Sequence, residues 1–237
     1  MKLLAIDNST KTAKSDAVGK DLTAIMYMMP ADIVSGINVC PMAGKAKCKE
    51  GCLVTAGKGM FPNVVAGRTR KTEWFRDDRE GFMLQLVKDI EELRRKAAKR
   101  GVKPVVRLNG TSDIAYENIP VAGHDNLMVM FPDVQFYDYT KLPGRKVPAN
   151  YHLTVSYSGA DASYADKVWR SKHNMAVVFR DKVPAVWFGR PVIDGDKDDR
   201  RFDDPAGVVV GLKAKGRAKG DSSGFVVDID DDVIARG

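Results

Sequence analysis

An α/β fold, a single domain with a mostly parallel sheet or an incomplete β/α barrel and helices outside it, follows from three observations. Strand-like apolar runs recur at 24–29, 105–108, 134–141, 151–159, 175–179 and 208–212. Helical patterns separate several of them, the order that favours parallel strands under covering helices. Three of the runs also end in polar clusters, where sheets of this kind carry their chemistry. A length of 237 residues suits one domain of this class.

Composition narrows the function classes. Hydrophobic residues make up 44% of the chain, enough for a substantial core, and charged residues at 29% indicate a solvated surface. No apolar run approaches the roughly 20 residues needed to span a bilayer. Asp7 follows the start too soon to leave room for the apolar region of a signal peptide. A cytoplasmic protein without a membrane partner is therefore expected. The net charge of +7 permits nucleic acid or a phosphorylated small molecule as substrate. A solvated basic surface explains it equally well.

The elements are expected in this order. Residues 1–22 are polar and weakly periodic and read as an N-terminal arm. The run 24–29 is the first firm strand, stopped by Pro30. After the cysteine stretch, Pro62 suits the first turn of a helix that ends near 77–78. In the next helix Phe82, Leu86, Ile90, Leu93 and Ala97 share one face, opposite Lys88, Glu91, Glu92, Arg95 and Lys96. Gly101 stops it, preceded by Lys99 and Arg100, whose charges suit the negative end of the helix dipole. Strands follow at 105–108, 134–141 and 151–159, then a helix over 161–172 with Tyr164, Val168 and Trp169 on one side. The run 175–179 is a strand that turns through 180–183 into 185–188, as a hairpin or a short crossover. The charged loop 194–205 begins like a calcium loop, but Asp199 and Pro205 stand where that loop needs Gly and Glu, so salt bridges to Arg200 and Arg201 are expected instead. A last firm strand at 208–212 leads into a partly mobile tail, 213–237, with a short edge strand at 225–227.

All three cysteines fall in thirteen residues, Cys40, Cys48 and Cys52, on a loop after the first firm strand. In a cytoplasmic protein a structural disulfide is not expected, and an odd count leaves one thiol over. Three thiolates from one loop suit a [4Fe–4S] cluster whose fourth iron stays open to a small ligand. Gly44 and Gly51 allow the loop to wrap around such a group, and Lys45, Lys47 and Lys49 would offset its negative charge. Zinc is the alternative metal. A structural zinc site wants four ligands, and His124, His152 and His173 do not lie at finger-like spacing from the thiols. Three unligated cysteines remain a further reading.

The polar strand ends supply the remaining candidates. Asn109, Ser112 and Asp113 end the strand at 105–108 and are candidate cofactor-binding groups, as are Ser156 and Ser158 after the strand at 151–159. Asp138, Tyr139 and Lys141 are the candidate catalytic residues, able to supply acid–base and anion-binding groups. Turn formation explains the first set as well, and half-buried strand packing explains Tyr139. Lys213, Lys215, Arg217 and Lys219 lie in a glycine-punctuated segment able to follow a phosphate backbone.

Four segments carry a family resemblance: the cysteine stretch with its flanks at 38–41 and 51–53, then 107–113, 192–197 and 211–215. Together they resemble a bacteriophage domain family, gene product eighty-eight, over roughly 20–216. The resemblance implies host cytoplasm as the compartment. A looser similarity is to radical S-adenosylmethionine enzymes, which carry a three-cysteine loop after the first strand of a partial barrel. It implies a redox or radical enzyme with a [4Fe–4S] cluster, S-adenosylmethionine as cofactor and an electron donor as partner. This chain departs from the Cys-x3-Cys-x2-Cys spacing of those enzymes, and 107–113 stands where they hold a Gly-Gly-Glu segment. The alternative function is a zinc-containing or basic nucleic-acid-binding module without catalysis.

Overall fold

Apolar strands separated by helices favour a mostly parallel sheet, and the computed structural model of the chain has one. It describes residues 1–6, 19–171 and 173–229. Among these, two compact units form. One comprises Met1–Cys40, Phe61–Asp138 and Lys146–His152. The other comprises Pro41–Met60, Tyr139–Arg145 and the residues from Leu153 on.

In the first unit, β1 (Leu4–Ile6) pairs antiparallel with β2 (Asp21–Met26). β2 pairs parallel with β3 (Lys103–Arg107), and β3 with β4 (Gln135–Thr140), in the order β1-β2-β3-β4. All six residues of β2 are buried, as expected of a parallel strand covered on both faces. Helix α1 (Pro62–Asp77) opens with proline at its start, where the missing N–H costs no hydrogen bond. Helix α2 (Arg79–Arg100) packs on β2 and β3. Its buried side chains include Phe82, Leu86, Ile90, Leu93 and Ala97, the face expected from the spacing. Asp78 caps it by accepting the Gly81 N–H at 2.8 Å, and Gly101 ends it in the left-handed conformation. A short helix, α3 (Leu127–Met130), precedes β4.

The second unit contains the end of β5 (Tyr151–Ser156), helix α4 (Ala162–Arg170), β6 (Met175–Phe179), β7 (Val186–Trp187), β8 (Arg190–Asp194) and β9 (Val209–Lys213). The order is β5-β6-β9-β8-β7, parallel throughout except for the edge strand β7. Val155, Val177, Phe179 and Val209 form its core with Tyr164 and Val168 of α4 and Trp187. Ala46 of the cysteine loop is part of that core, and Cys48 packs against it.

The fold is thus α/β with mostly parallel strands, and several local expectations change. The expected arm contains β1, a strand of three residues that the short apolar run does not advertise; residues 7–18 of it lie outside the described residues. Residues 185–188 do form a hairpin, but with β8, through Phe188 and Gly189 at positive φ. β6 lies instead between β5 and β9. β8 carries Pro191 and ends at Asp194, which hides it from a search for apolar runs. The expected edge strand at 225–227 is a single parallel bridge, Phe179 to Val227. In the tail, Gly216–Gly220 forms a 3-10 helix, and Ala214, Ala218, Phe225 and Val226 form a small core, while 230–237 lie outside the described residues. The charged loop holds Arg201 at 1% exposure, paired with Asp198 at 2.9 Å and Asp204 at 3.3 Å, and Arg200 pairs with Asp203. No helix among the described residues is long and apolar enough to cross a membrane.

Candidate functional site

The first unit holds Cys40, and backbone groups of two strand exits fix its place. The Ala31 N–H donates to Cys40 Sγ at 3.2 Å, and the thiol lies 3.9 Å from the Thr111 carbonyl. The Asp113 N–H donates to the Val39 carbonyl, joining the β3 exit to the start of the cysteine stretch. Thr111 donates its hydroxyl to the Met28 carbonyl at 2.6 Å, and the Gly110 N–H donates to the Met26 carbonyl at 3.0 Å. Gly110 is required there. A Cβ would stand 2.6 Å from the Met26 oxygen and 2.7 Å from the Tyr27 ring.

Asp138 is the node of this region. It is fully buried within β4. Its Oδ1 accepts the Asn109 N–H at 2.8 Å, and its Oδ2 accepts Asn109 Nδ2 at 3.2 Å and the Tyr151 hydroxyl at 2.8 Å. Arg107 stands 3.9 Å away and supplies the compensating charge. Asn109 Oδ1 in turn accepts the Ser112 hydroxyl and the Ile114 N–H. Asn109, Ser112 and Asp113 are all buried. Three of the expected site residues, Asn109, Ser112 and Asp138, therefore do meet, in a closed network that shapes the loop beside Cys40. Burial and the nearby Asp138 charge push the Tyr116 phenol well above its ordinary value, so it stays neutral.

Cys48 and Cys52 belong to the second unit. Ser158 donates its hydroxyl to the Ala46 carbonyl at 2.8 Å, tying the β5 exit to the cysteine loop. Lys141 donates to the Ser156 hydroxyl at 2.9 Å and to the Ser156 carbonyl at 3.2 Å. Its ammonium also lies over the Phe225 ring, 5.0 Å from the centroid. Lys45 bonds the Ser163 hydroxyl and pairs with Asp161 at 3.5 Å, so it serves the N-terminus of α4. Bonds from the Ser163 hydroxyl and the Tyr164 N–H hold the Asp161 carboxyl below its usual range. Tyr139 lies half-buried in this unit and acts electrostatically on the buried Arg201. Within this unit Lys141 and Ser156 meet directly, and Ser158 meets the cysteine loop.

The loop itself is not featureless. The Ala46 N–H donates to the Met42 carbonyl, closing one helical turn before Cys48, and Lys47 sits in the left-handed conformation at φ 53°. The Cys52 N–H donates to the Lys49 carbonyl and its own carbonyl accepts from Thr55. None of the three thiols forms a disulfide, and each is partly exposed. As donors they suit an iron–sulfur cluster in kind: soft thiols, one already accepting a peptide N–H, with no imidazole among them. Among the described residues no group of three or more His, Cys, Asp or Glu side chains is already gathered as a metal site. The donors thus suit such a cluster in kind.

Sequence reasoning missed three contributors that have no side-chain chemistry to advertise: Ala31, whose N–H meets Cys40, and the carbonyls of Val39 and Ala46. Tyr151, an acceptor-seeking phenol at the start of β5, was also read only as strand, although a buried tyrosine asks for a partner.

A family model described as gene product 88 matches residues 2–229. No curated protein and no solved structure matches the chain.

Proposed function

The chain belongs to the gene product 88 family, of bacteriophage type, and from that premise we propose that it is an iron–sulfur protein acting in redox or radical chemistry. Cys40, Cys48 and Cys52 would hold a [4Fe–4S] cluster, with zinc as the alternative metal of the same thiols. One observation carries this reading: every thiol of the chain is outside any disulfide, partly exposed and confined to one loop, to which polar strand exits are bonded in both units. A buried structural cysteine would need none of that.

When bound, such a cluster supplies an exchangeable iron and one-electron transfer. The chain's own residues have definable tasks beside it. The Ala31 N–H stabilises negative charge on Cys40 Sγ. The Asn109–Asp138 network fixes the β3 exit, so that Asp113 and Thr111 hold the backbone on which Cys40 sits. Asn109, Ser112 and Asp138 are thus positioning residues. Lys141, with Ser156, is the polar group of the second unit suited to a substrate's anionic or carbonyl oxygen. The incomplete barrel, the use of S-adenosylmethionine, an electron donor as partner and the host cytoplasm as compartment belong to the same proposal.

Anaerobic purification followed by iron, sulfide and zinc analysis tests it. The expected protein is brown and carries about four irons and four sulfides per chain. Colourless protein with one zinc per chain, after reconstitution with iron and sulfide, contradicts the cluster and favours zinc. Addition of S-adenosylmethionine to the reduced protein tests the cofactor: formation of 5′-deoxyadenosine supports it, and an unperturbed electron-spin spectrum removes it.

A further inference from the structure

The second unit contains a cleft of about 470 Å³ that the thiol chemistry does not use. One wall is the cysteine loop, with Lys47 and Lys49; the other is the glycine-punctuated tail, with Arg217. Glu50 and Asp221 also line it, so cations outnumber carboxylates there. Burial raises the Asp221 carboxyl, but the Val226 N–H and the Ser223 hydroxyl outweigh that and hold it below its ordinary value. Its oxygens accept those two groups at 3.0 and 2.7 Å. Its charge is spent on the turn that shapes the tail.

Two of the three cations lining the cleft, Lys47 and Arg217, differ from their neighbours. Lys45 is committed to Asp161 and Ser163, Lys215 to Asp196 at 2.6 Å, and Arg180 to Asp228. Among the described residues, the side chains of Lys47 and Arg217 make no ion pair or hydrogen bond. Lys47 is also held at φ 53°, a conformation a lysine adopts only when its surroundings impose it. The residue before it is held at both its N–H and its carbonyl, by the Ala46 N–H bond to Met42 and the Ser158 bond to the Ala46 carbonyl. Three glycines complete the lining, and at Gly44 and Gly220 nothing stands within 4 Å of where a Cβ would be. Ser222 and Ser223 add hydroxyls.

Uncommitted cations on two walls, glycines with open space above the backbone and flanking hydroxyls are the chemistry of a phosphate site. We infer that the cleft between the cysteine loop and the tail binds a phosphate group, carried by a nucleotide or by a single-stranded nucleic acid. The inference holds whether or not the thiols carry a metal, because no cysteine lines the cleft. No aromatic side chain lines it either, so phosphate and not base stacking supplies the affinity.

The test is fluorescence anisotropy with the full chain and a labelled oligothymidylate of about 12 nucleotides, with pyrophosphate and a mononucleotide as competitors. Lys47→Ala and Arg217→Ala each weaken binding about fivefold to tenfold, and each lowers the slope of log affinity against log salt by about one. Gly220→Asp, which places a carboxylate in open space without a clash, weakens it by about tenfold or more. Lys99→Ala, on α2, leaves it unchanged. Circular dichroism melting confirms that each variant folds. Oligonucleotide binding far tighter than pyrophosphate identifies a nucleic-acid backbone; equal binding identifies a nucleotide. Failure of all three probes to bind, or wild-type affinity in both Gly220→Asp and the Lys47→Ala/Arg217→Ala double variant, overturns the site.

Discussion

Both units spend the carboxyl ends of parallel strands on the cysteine stretch, yet they do so with opposite chemistry. In the first, the exits of β2, β3 and β4 are knitted by Asp138 and Asn109, which are buried and fully engaged. In the second, Lys141 and Ser156 are linked by bonds that leave the lysine half-buried, Ser158 bonds the Ala46 carbonyl, and cations line an open cleft. A saturated buried network cannot take a ligand without breaking, whereas a partly solvated one can exchange water for it. The first unit thus builds the scaffold for Cys40, and the second keeps its lysine partly in contact with solvent.

The sharpest way to break this contrast is Asp138→Ala. It leaves the Asn109 N–H, Asn109 Nδ2 and the Tyr151 hydroxyl without their acceptor, and Arg107 without its charge partner. A loss of about 3–5 kcal/mol in urea unfolding is expected. A loss under about 1 kcal/mol would mean that the network is not the scaffold. Gly110→Ala comes next. Its Cβ meets the Met26 carbonyl and the Tyr27 ring, and about 1–3 kcal/mol should follow from overpacking. Lys141→Met, in the second unit, should cost only about 1 kcal/mol, since half-exposed groups regain water when a partner is removed. An effect as large as that of Asp138→Ala would erase the distinction between the two regions.

The smallest effect is in pH. Burial pushes Asp204 up to about 6, against the opposing pull of Arg201 at 3.3 Å. A carboxyl raised on folding favours the folded state while protonated. Its contribution is complete below about pH 4 and is lost as pH rises through about 6. Asp204→Asn should flatten the stability profile across that window, as measured by thermal melting at stepped pH. An unchanged profile would show that the ion pair, and not burial, governs this carboxyl.

Much of the frame was legible because periodicity reports burial. The α2 face, the Gly101 cap and the run at 175–179 all follow from spacing alone. β1 and β8 were not legible. One is three residues long and the other holds Pro191, so neither produces an apolar run. At the site, side-chain chemistry drew attention to Asn109, Ser112, Asp138 and Lys141, and each does sit at a strand exit with polar partners. What the residues could not announce was commitment. Whether a carboxylate is free or saturated depends on long-range partners such as Tyr151 and on backbone N–H groups that every residue possesses.

The measurement that bears most directly on the account is the iron content of anaerobically reconstituted protein across the series wild type, Cys40→Ala, Cys48→Ala and Cys52→Ala. The account predicts about four irons per chain in the wild type and a loss of most of them in every single variant, with melting curves close to wild type. Equal iron in wild type and all three variants, or none in any, would contradict the thiol loop as a cluster site.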